Sequence, residues 1–149
     1  MNSTIKERIL LHLVNFTPQT LKRKASYYVS QNGIAEAVEG SRSRVSRILR
    51  NMERNGSIKV KKKYIENNQK RKFKVYHLTK KGKAQANDLR NKYKKEKIYV
   101  KTKEGVDKRK IDEILDFYED DETLLSILIE LKDKDKIDLT KNKIKITDS

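Results

Sequence analysis

The sequence predicts a mainly α-helical fold with a small β-sheet, in the α+β class. In four segments of the first 95 residues, apolar side chains recur at intervals of three and four, as on the buried face of an amphipathic helix. Immediately after Gly56 this spacing changes to alternation, which is typical of strands. With 149 residues and 35% hydrophobic content, the chain can form one ordinary domain and a small extension.

The first helix is predicted over residues 3–16, where Ser3 or Thr4 can cap the N-terminus. Its apolar stripe consists of Ile5, Ile9, Leu10, Leu13 and Phe16. Pro18 ends the helix, because proline lacks the backbone N–H that a helix needs. Tyr27, Tyr28 and Val29 favour extended backbone, and we expect them to form a short strand.

Two short helices come next, joined by a tight turn. Ser30 can cap the segment "QNGIAEAV", and Ser41 can cap a longer helix over residues 42–54. Glu39 and Gly40 form the turn between them, and Gly56 ends the second helix. Two helices joined by a glycine-containing turn predict a helix-turn-helix.

A basic β-hairpin is predicted directly after the second helix, over residues 59–78. Alternation in "SIKVK" and "FKVYHL" indicates its two strands, and the polar stretch "KKYIENNQKRK" between them is expected to form the tip. A hairpin in this position is a wing, so residues 1–100 are predicted to form a winged helix-turn-helix domain.

After the wing, the sequence predicts three more helices, a short strand between the first two of them, and a terminal segment. Thr79 caps a helix with a narrow stripe of Gly82, Ala86, Leu89 and Tyr93. A short strand, "IYVKT", leads through the turn "KEGVD" to a helix that starts at Asp107 or Lys108 and has an apolar face of Ile111, Ile114, Leu115 and Tyr118. A further apolar helix covers Thr123 to Leu131. The alternating segment "KIDLTKNKIKIT" predicts a terminal β-hairpin, with an exposed polar tail as the alternative.

Charge divides the chain into a basic body and a mildly acidic end. Residues 1–106 hold 28 basic and 8 acidic side chains, and residues 107–149 hold 9 basic and 13 acidic ones. The formal net charge of +16 indicates a polyanionic partner, since neutralising each phosphate releases condensed counterions. We therefore expect residues 101–149 to form a separate C-terminal module for oligomerisation or partner binding.

Several classes of protein are disfavoured by the composition. With no cysteine there is no disulfide framework, thiol nucleophile or cysteine-ligated zinc. His12 and His77 lie on different elements, no nucleophile with a base is visible, and the acidic residues from Asp112 to Glu122 fit no EF-hand loop. No signal peptide or membrane-spanning stretch is apparent. The expectation is a cytoplasmic, chromosome-associated protein that is not an enzyme and has no cofactor or metal.

In the order of its elements the chain resembles winged helix-turn-helix transcription regulators of the multiple-antibiotic-resistance-regulator (MarR-like) type. The resemblance covers Ile5 to Tyr93 and is carried by "GIAEAVEGSRSRVSRILRNMERNGSIKV" and "VYHLTKKGKAQA". Archaeal members with an added C-terminal segment look most similar, although the module after Val106 does not follow the family pattern. The resemblance implies that the serine-capped helix reads DNA and that the protein acts as a dimer.

The exposed face of the helix over residues 42–54 suits the major groove, because arginine can chelate the two acceptors of guanine. The residues expected at base edges are Ser43, Ser46, Arg47 and Arg50. Those expected on the DNA backbone are Ser41, Arg42, Arg44, Arg54, Lys61 and Lys63. An arginine-rich solvated surface is the alternative, but the helix has five arginines against one acid, Glu53.

The wing is expected to contact the adjacent backbone or minor groove. Lys70, Arg71 and Lys72 are predicted at its tip, where arginine would suit the minor groove. Tyr64, Phe73 and Tyr76 are expected to pack rather than to stack on bases.

Protein contacts are predicted for the apolar helix of the C-terminal module, through Leu124, Leu128 and Leu131, since an all-round apolar helix needs covering. The cover comes either from the same chain or from a second copy. The function predicted is double-stranded DNA binding by a homodimer, with a transcription-machinery partner also considered. Two alternatives stay open: an RNA-binding or translation-linked winged-helix protein, and a protein-docking adaptor of the transcription machinery.

Overall fold

The computed structural model describes residues 3–16, 24–116, 122–133 and 136–138. The helices are α1 (Ile5–Leu13), α2 (Gln31–Val38), α3 (Arg42–Arg54), α4 (Lys80–Lys94), α5 (Ile111–Leu115) and α6 (Glu122–Asp133). The strands are β1 (Lys24–Ala25), β2 (Ile58–Ile65), β3 (Asn68–Leu78), β4 (Lys97–Thr102), β5 (Gly105–Lys110) and β6 (Lys136–Asp138). They form two sheets, in the orders β1-β2-β3 and β5-β4-β6.

The predicted helix caps are confirmed for α1 to α4. Thr4 and Glu7 form a capping box, in which the Glu7 N–H donates to Thr4 Oγ1 at 3.1 Å and the Thr4 N–H donates to Glu7 Oε1 at 2.9 Å. Ser30 Oγ accepts from the Gly33 N–H at 3.2 Å, and Thr79 Oγ1 accepts from the Gly82 N–H at 3.1 Å. Each cap supplies an acceptor that the first turn of a helix lacks.

The helix-turn-helix is formed by α2 and α3. The turn between them passes through Glu39, which adopts the left-handed conformation at φ 53° and ψ 44°. Ser41 Oγ then accepts from the Arg44 N–H at 3.3 Å and starts α3. Gly56 directs the chain from α3 toward β2. Its φ of +77° is a backbone angle that residues other than glycine rarely adopt.

The prediction of a strand at Tyr27–Val29 is wrong, because these residues form one turn of 3-10 helix. Ser26 Oγ accepts from the Tyr28 N–H at 3.2 Å and the Ser30 hydroxyl donates to the Tyr27 carbonyl at 2.5 Å, so two side chains close the turn locally. The turn also packs on Gly33, where a Cβ atom would clash with the Tyr27 carbonyl oxygen. The strand is instead Lys24–Ala25, parallel to β2.

The wing spans almost the predicted residues, but its strands are longer and its turn is shorter than predicted. Strands β2 and β3 pair antiparallel from Ile58 opposite Leu78 onward, and the turn between them is Glu66–Asn67, with Asn67 at φ 68°. The three residues predicted at the tip, Lys70 to Lys72, lie within β3. Pairing shifts there: Lys63 opposes Phe73 but Ile65 opposes Asn68, so β3 carries extra residues in a bulge.

The expected alternation also fails at the base of the wing. The last four residues of β3, Val75 to Leu78, are all buried. Consecutive side chains of a strand point to opposite faces of the sheet. Ser30 forms a backbone bridge to Val75 at the edge of β3. Both faces of the sheet are therefore buried at this point.

Helix α4 confirms the predicted stripe, with Gly82, Ala86 and Tyr93 buried and Leu89 half-buried. At Gly82 a Cβ atom would clash with the Ser57 carbonyl oxygen. Glycine at this position therefore lets the start of α4 lie directly against the end of the helix-turn-helix.

The C-terminal region contains more strand than expected. Gly105–Lys110, predicted as a turn and the start of a helix, forms β5 and pairs with β4 over its whole length, and α5 starts only at Ile111. Backbone pairing with β4 overrides the helical spacing of the following apolar residues. Strand β6 pairs parallel with β4. Tyr118 and residues 139–149, which include most of the predicted terminal hairpin, lie outside the described residues.

Two apolar clusters are packed in the described part of the chain. The first joins α1, α2, α3 and the base of the wing. The second contains Leu11 of α1, Tyr93 of α4, and residues of β4, α5 and α6. Leu11 and Tyr93 thus link the C-terminal elements to the winged helix-turn-helix.

The protein-contact surface predicted on α6 is wrong for two of its three residues. Leu124 and Leu128 are 0% and 1% exposed within this chain, and Leu131 is half-buried against the same cluster. Helix α6 packs on α1, α5 and β6. The cover that an apolar helix requires therefore comes from the same chain.

Candidate nucleic-acid interface

Helix α3 has one buried and one cationic side. Val45, Leu49 and Met52 are at most 1% exposed and fix the helix on the first core, with Ile48 half-buried beside them. The opposite side carries the residues predicted to face a groove. Of these, Ser43, Arg47 and Arg50 are exposed and Ser46 is half-buried.

The arginines of α3 are held apart from acidic side chains. Arg42, Arg44, Arg47, Arg50 and Arg54 are all exposed, and none has a carboxylate within ion-pair distance among the described residues. The structure thus presents five guanidinium groups along one helix without internal neutralisation. Unpaired like charges repel one another, and binding a polyanion removes that cost.

The N-terminus of α3 is open to an anion. Ser41, Ser43, Arg44 and Arg47 line a shallow depression of about 330 Å3. Because Ser41 Oγ already accepts from the Arg44 N–H, its own hydroxyl proton is the group left to donate. The first backbone N–H groups of a helix also lack intrahelical acceptors and point toward such a site.

The wing places its cations on aromatic rings. The Arg71 guanidinium carbon lies 4.6 Å from the centroid of the Phe73 ring, and Lys72 Nζ lies 5.6 Å from that of Tyr64. Phe73 is half-buried on the first core, as predicted for a packing residue, whereas Tyr64 is exposed. These contacts steady two cations of the bulge without neutralising them. On β2, Lys61 is exposed and Lys63 is half-buried.

A group of hydrogen bonds joins α3, the wing and α4 where the three meet. Thr79 Oγ1 donates to the Gly56 carbonyl at 2.5 Å, and Ser57 Oγ donates to Gln85 Oε1 at 2.7 Å. Lys81 Nζ donates to the Asn55 carbonyl at 2.7 Å, at the C-terminus of α3, where a cation also interacts favourably with the helix dipole. Lys81 and Asn55 are 26 residues apart, and no local pattern in the sequence predicts this positioning role.

Tyr27 and Glu36 form a second contact that the sequence did not reveal. The Tyr27 hydroxyl donates to Glu36 Oε2 at 3.0 Å. The hydrogen bond to this carboxylate raises the pKa of Tyr27, and the nearby charge of Arg42 opposes the shift. The contact ties the 3-10 turn to α2. Tyr27 and Glu36 are nine residues apart, and no local sequence pattern predicts that they touch.

His77 is buried beneath the wing, and its Nδ1 atom has no hydrogen-bond partner among the described residues. It pairs with Lys59 across the sheet, and burial, followed by the charges of Lys63 and Lys61, lowers its pKa. His12 is buried elsewhere, with Nε2 2.7 Å from the Tyr28 carbonyl oxygen. The two histidines therefore do not form a common site.

Other kinds of site are not evident in the described part of the chain. No group of three or more histidine, aspartate or glutamate side chains comes together there as a metal site would require. Asp112, Glu113 and Asp116 are exposed, and the remaining members of that acidic run lie outside the ranges of described side chains. None of the described helices is long and apolar enough to cross a bilayer.

Comparison with known proteins identified a similar solved structure. No family model matches the sequence, and no curated protein matches it. The chain is similar to the crystal structure of a MepR mutant from a multidrug-resistant S. aureus clinical isolate, with a TM-score of 0.44 and 19% sequence identity over 87% of this chain and 76% of that chain. The assignment of a winged helix-turn-helix depends on the helix and strand order described above.

Proposed function

We propose that the protein binds double-stranded DNA sequence-specifically and thereby regulates transcription. The observation that carries the proposal is the unneutralised arginine face of α3, which is fixed from behind by Val45, Leu49 and Met52. The major groove admits one α-helix, and a rigid helix can hold side chains in register with base edges. The hydrogen bonds around Ser57, Thr79 and Lys81 support this role, since they hold α3 and the wing in one arrangement.

The exposed side of α3 divides into two groups by position. Ser43, Ser46, Arg47 and Arg50 are proposed to read base edges, because they point away from the buried side. Phosphate contacts are proposed for residues at the two ends of α3 and on β2: Ser41, Arg42, Arg44, Arg54, Lys61 and Lys63. The bulge of β3 would bring Lys70, Arg71 and Lys72 to the adjacent backbone or minor groove.

The protein is proposed to act as a homodimer in the cytoplasm, on the chromosome. One recognition helix reads only a few base pairs, so two copies related by a twofold axis would read two half-sites. Leu124 and Leu128 are buried within this chain and are not available for such contacts. The dimer proposal therefore rests on the size of the site that a single α3 can read.

Selection from random duplex DNA at about 0.15 M salt tests this function, because that salt concentration partly suppresses non-specific electrostatic binding. Recovery of an inverted repeat, with half-sites about one or two helical turns apart, is expected. Recovery of no motif, together with tight binding to a folded RNA in a parallel selection, would contradict the proposal in favour of RNA recognition.

A further inference from the structure

The second sheet presents a basic face that the proposed duplex interface does not use. In the register of β4 and β5, Lys97 opposes Lys110, Tyr99 opposes Lys108 and Lys101 opposes Val106. Side chains that are paired across a sheet share a face, and alternate residues along a strand do too. One face of the β4–β5 hairpin therefore carries four lysines, a tyrosine and a valine, and all six side chains are exposed.

The other face of this hairpin fixes the exposed one. Ile98 and Val100 alternate with Tyr99 and are 4% and 0% exposed, packed in the second core against α5 and α6. Because the sheet is anchored from behind, Tyr99 is held on a rigid support. It is 47% exposed, which leaves much of its ring accessible to a ligand.

The acidic residues of the hairpin do not neutralise these lysines. Asp107 lies in the register of Val100, on the opposite face, and pairs with Arg109 at 3.4 Å. Glu104 lies in the turn between the strands. On the exposed face, Lys108 Nζ lies 5.6 Å from the centroid of the Tyr99 ring. Strand β6 pairs parallel with β4 on its other side, with residue 136 in register with Tyr99 and residue 138 in register with Lys101.

We propose that this face, centred on Tyr99 and flanked by Lys97, Lys101, Lys108 and Lys110, binds single-stranded nucleic acid. An exposed aromatic ring stacks on an unpaired base, and surrounding lysines bind the phosphates on either side of it, which is how single strands are bound without sequence preference. A duplex offers no unpaired base for the ring. The surface is separate from α3 and the wing, and the proposal goes beyond the function proposed for them.

Binding of a fluorescently labelled oligothymidylate of about 12 nucleotides, measured by anisotropy, tests the role of Tyr99. Tyr99→Leu should weaken binding by about 5- to 150-fold, since it removes the π-face but retains apolar bulk. Tyr99→Phe keeps the aromatic ring and should bind like the unaltered protein. Tyr28→Leu is the matched control, because Tyr28 is 46% exposed but lies outside this sheet, and it should bind like the unaltered protein.

The charged part of the face is tested by Lys101→Gln with Lys108→Gln, which should reduce the slope of log affinity against log salt by about 0.7 for each phosphate that the protein no longer neutralises. Lys6→Gln with Lys92→Gln, on α1 and α4, removes the same number of charges outside this sheet and should reduce the slope by less. Binding should persist in an Arg47→Ala, Arg50→Ala variant, which separates this proposal from the duplex interface. Equal losses for Tyr99→Leu and Tyr28→Leu, or stronger binding of a duplex than of the single strand by this face, would overturn the proposal.

Discussion

Ser41 and Ser30 show how single side chains define the site. Each hydroxyl accepts from a backbone N–H in the first turn of its helix, at 3.3 Å for Ser41 and 3.2 Å for Ser30, and so fixes where α3 and α2 begin. The start of α3 sets which of its residues point outward, because the side chains follow at about 100° per residue. The arginine face is thus determined by a local hydrogen bond together with three buried apolar residues.

At the residue scale, His77 predicts a dependence of stability on pH. Its pKa is lowered in the folded protein from the ordinary value of 6.5, so the unfolded chain binds a proton at this site more readily. Stability should therefore be highest above pH 6.5 and should decrease as the pH falls below it. Urea unfolding at a series of pH values between about 7.5 and 5.5 measures this change.

His77→Gln should flatten that dependence, because the substituted side chain does not titrate. His12→Gln is the matched control for a buried histidine and should leave the component due to His77 in place, whatever its effect on overall stability. A pH dependence that is the same in His77→Gln as in the unaltered protein would assign the effect to other groups.

At the element scale, local signals explain which parts of the fold could be predicted. Capping serines and threonines, together with apolar spacing, were enough for α1 to α4, because these signals lie within a few residues of the helix they define. The predictions for Tyr27–Val29 and Gly105–Lys110 are wrong. Hydrogen bonds of the Ser26 and Ser30 side chains, together with packing on Gly33, make the first a 3-10 turn. Pairing with β4 makes the second a strand. Contacts between distant residues, such as Lys81 with Asn55, leave no local pattern in the sequence.

The basic residues in the bulge of β3 are proposed to contact DNA phosphates. Replacing Lys70, Arg71 and Lys72 with glutamine should reduce the salt dependence of duplex binding, by about 0.9 in slope for each phosphate that the wing no longer neutralises. Sequence preference should stay the same, because phosphate contacts carry little base information. Affinity titrations at several salt concentrations, with a selected site and a scrambled one, measure both quantities.

The control for that change removes the same number of charges elsewhere. Lys6, Lys92 and Lys95 are exposed residues of α1, α4 and the end of α4, and their glutamine variants should change the slope by much less. An equal reduction in slope for both triple variants would mean that overall charge, rather than the wing, determines the salt dependence.

For the molecule as a whole, α1 and α4 connect two cores. Leu11 and Tyr93 belong to the second cluster, although their helices also pack on the first. The C-terminal elements are therefore joined to the winged helix-turn-helix by buried contacts as well as by the chain itself. The change in charge near Val106 suggested a boundary near residue 100, but strand β4 runs through that point, from Lys97 to Thr102. Composition reflects exposed surface, whereas buried contacts between helices decide how the parts are joined. The division into 1–100 and 101–149 stays a prediction.

The burial of α6 within the chain predicts the effect of shortening its side chains. Leu128→Ala should lower the free energy of unfolding by about 2–5 kcal/mol, because it leaves a cavity in the second core. Leu131→Ala, at a half-buried position of the same helix, should cost less. Urea unfolding at two protein concentrations measures both effects. A stability that depends strongly on concentration and is lost equally in both variants would indicate that α6 is covered by another molecule.

The central claim is that α3 reads DNA bases, and the most direct test is the ratio of affinities for a selected duplex and a scrambled duplex of the same length. Arg47→Ala and Arg50→Ala should each cost about 1–3 kcal/mol on the selected site and little on the scrambled one, so the ratio should fall. The matched control is Arg54→Ala, proposed to contact phosphate, which should weaken binding to both duplexes similarly. Equal losses on both duplexes for Arg47→Ala and Arg50→Ala would contradict base reading by α3.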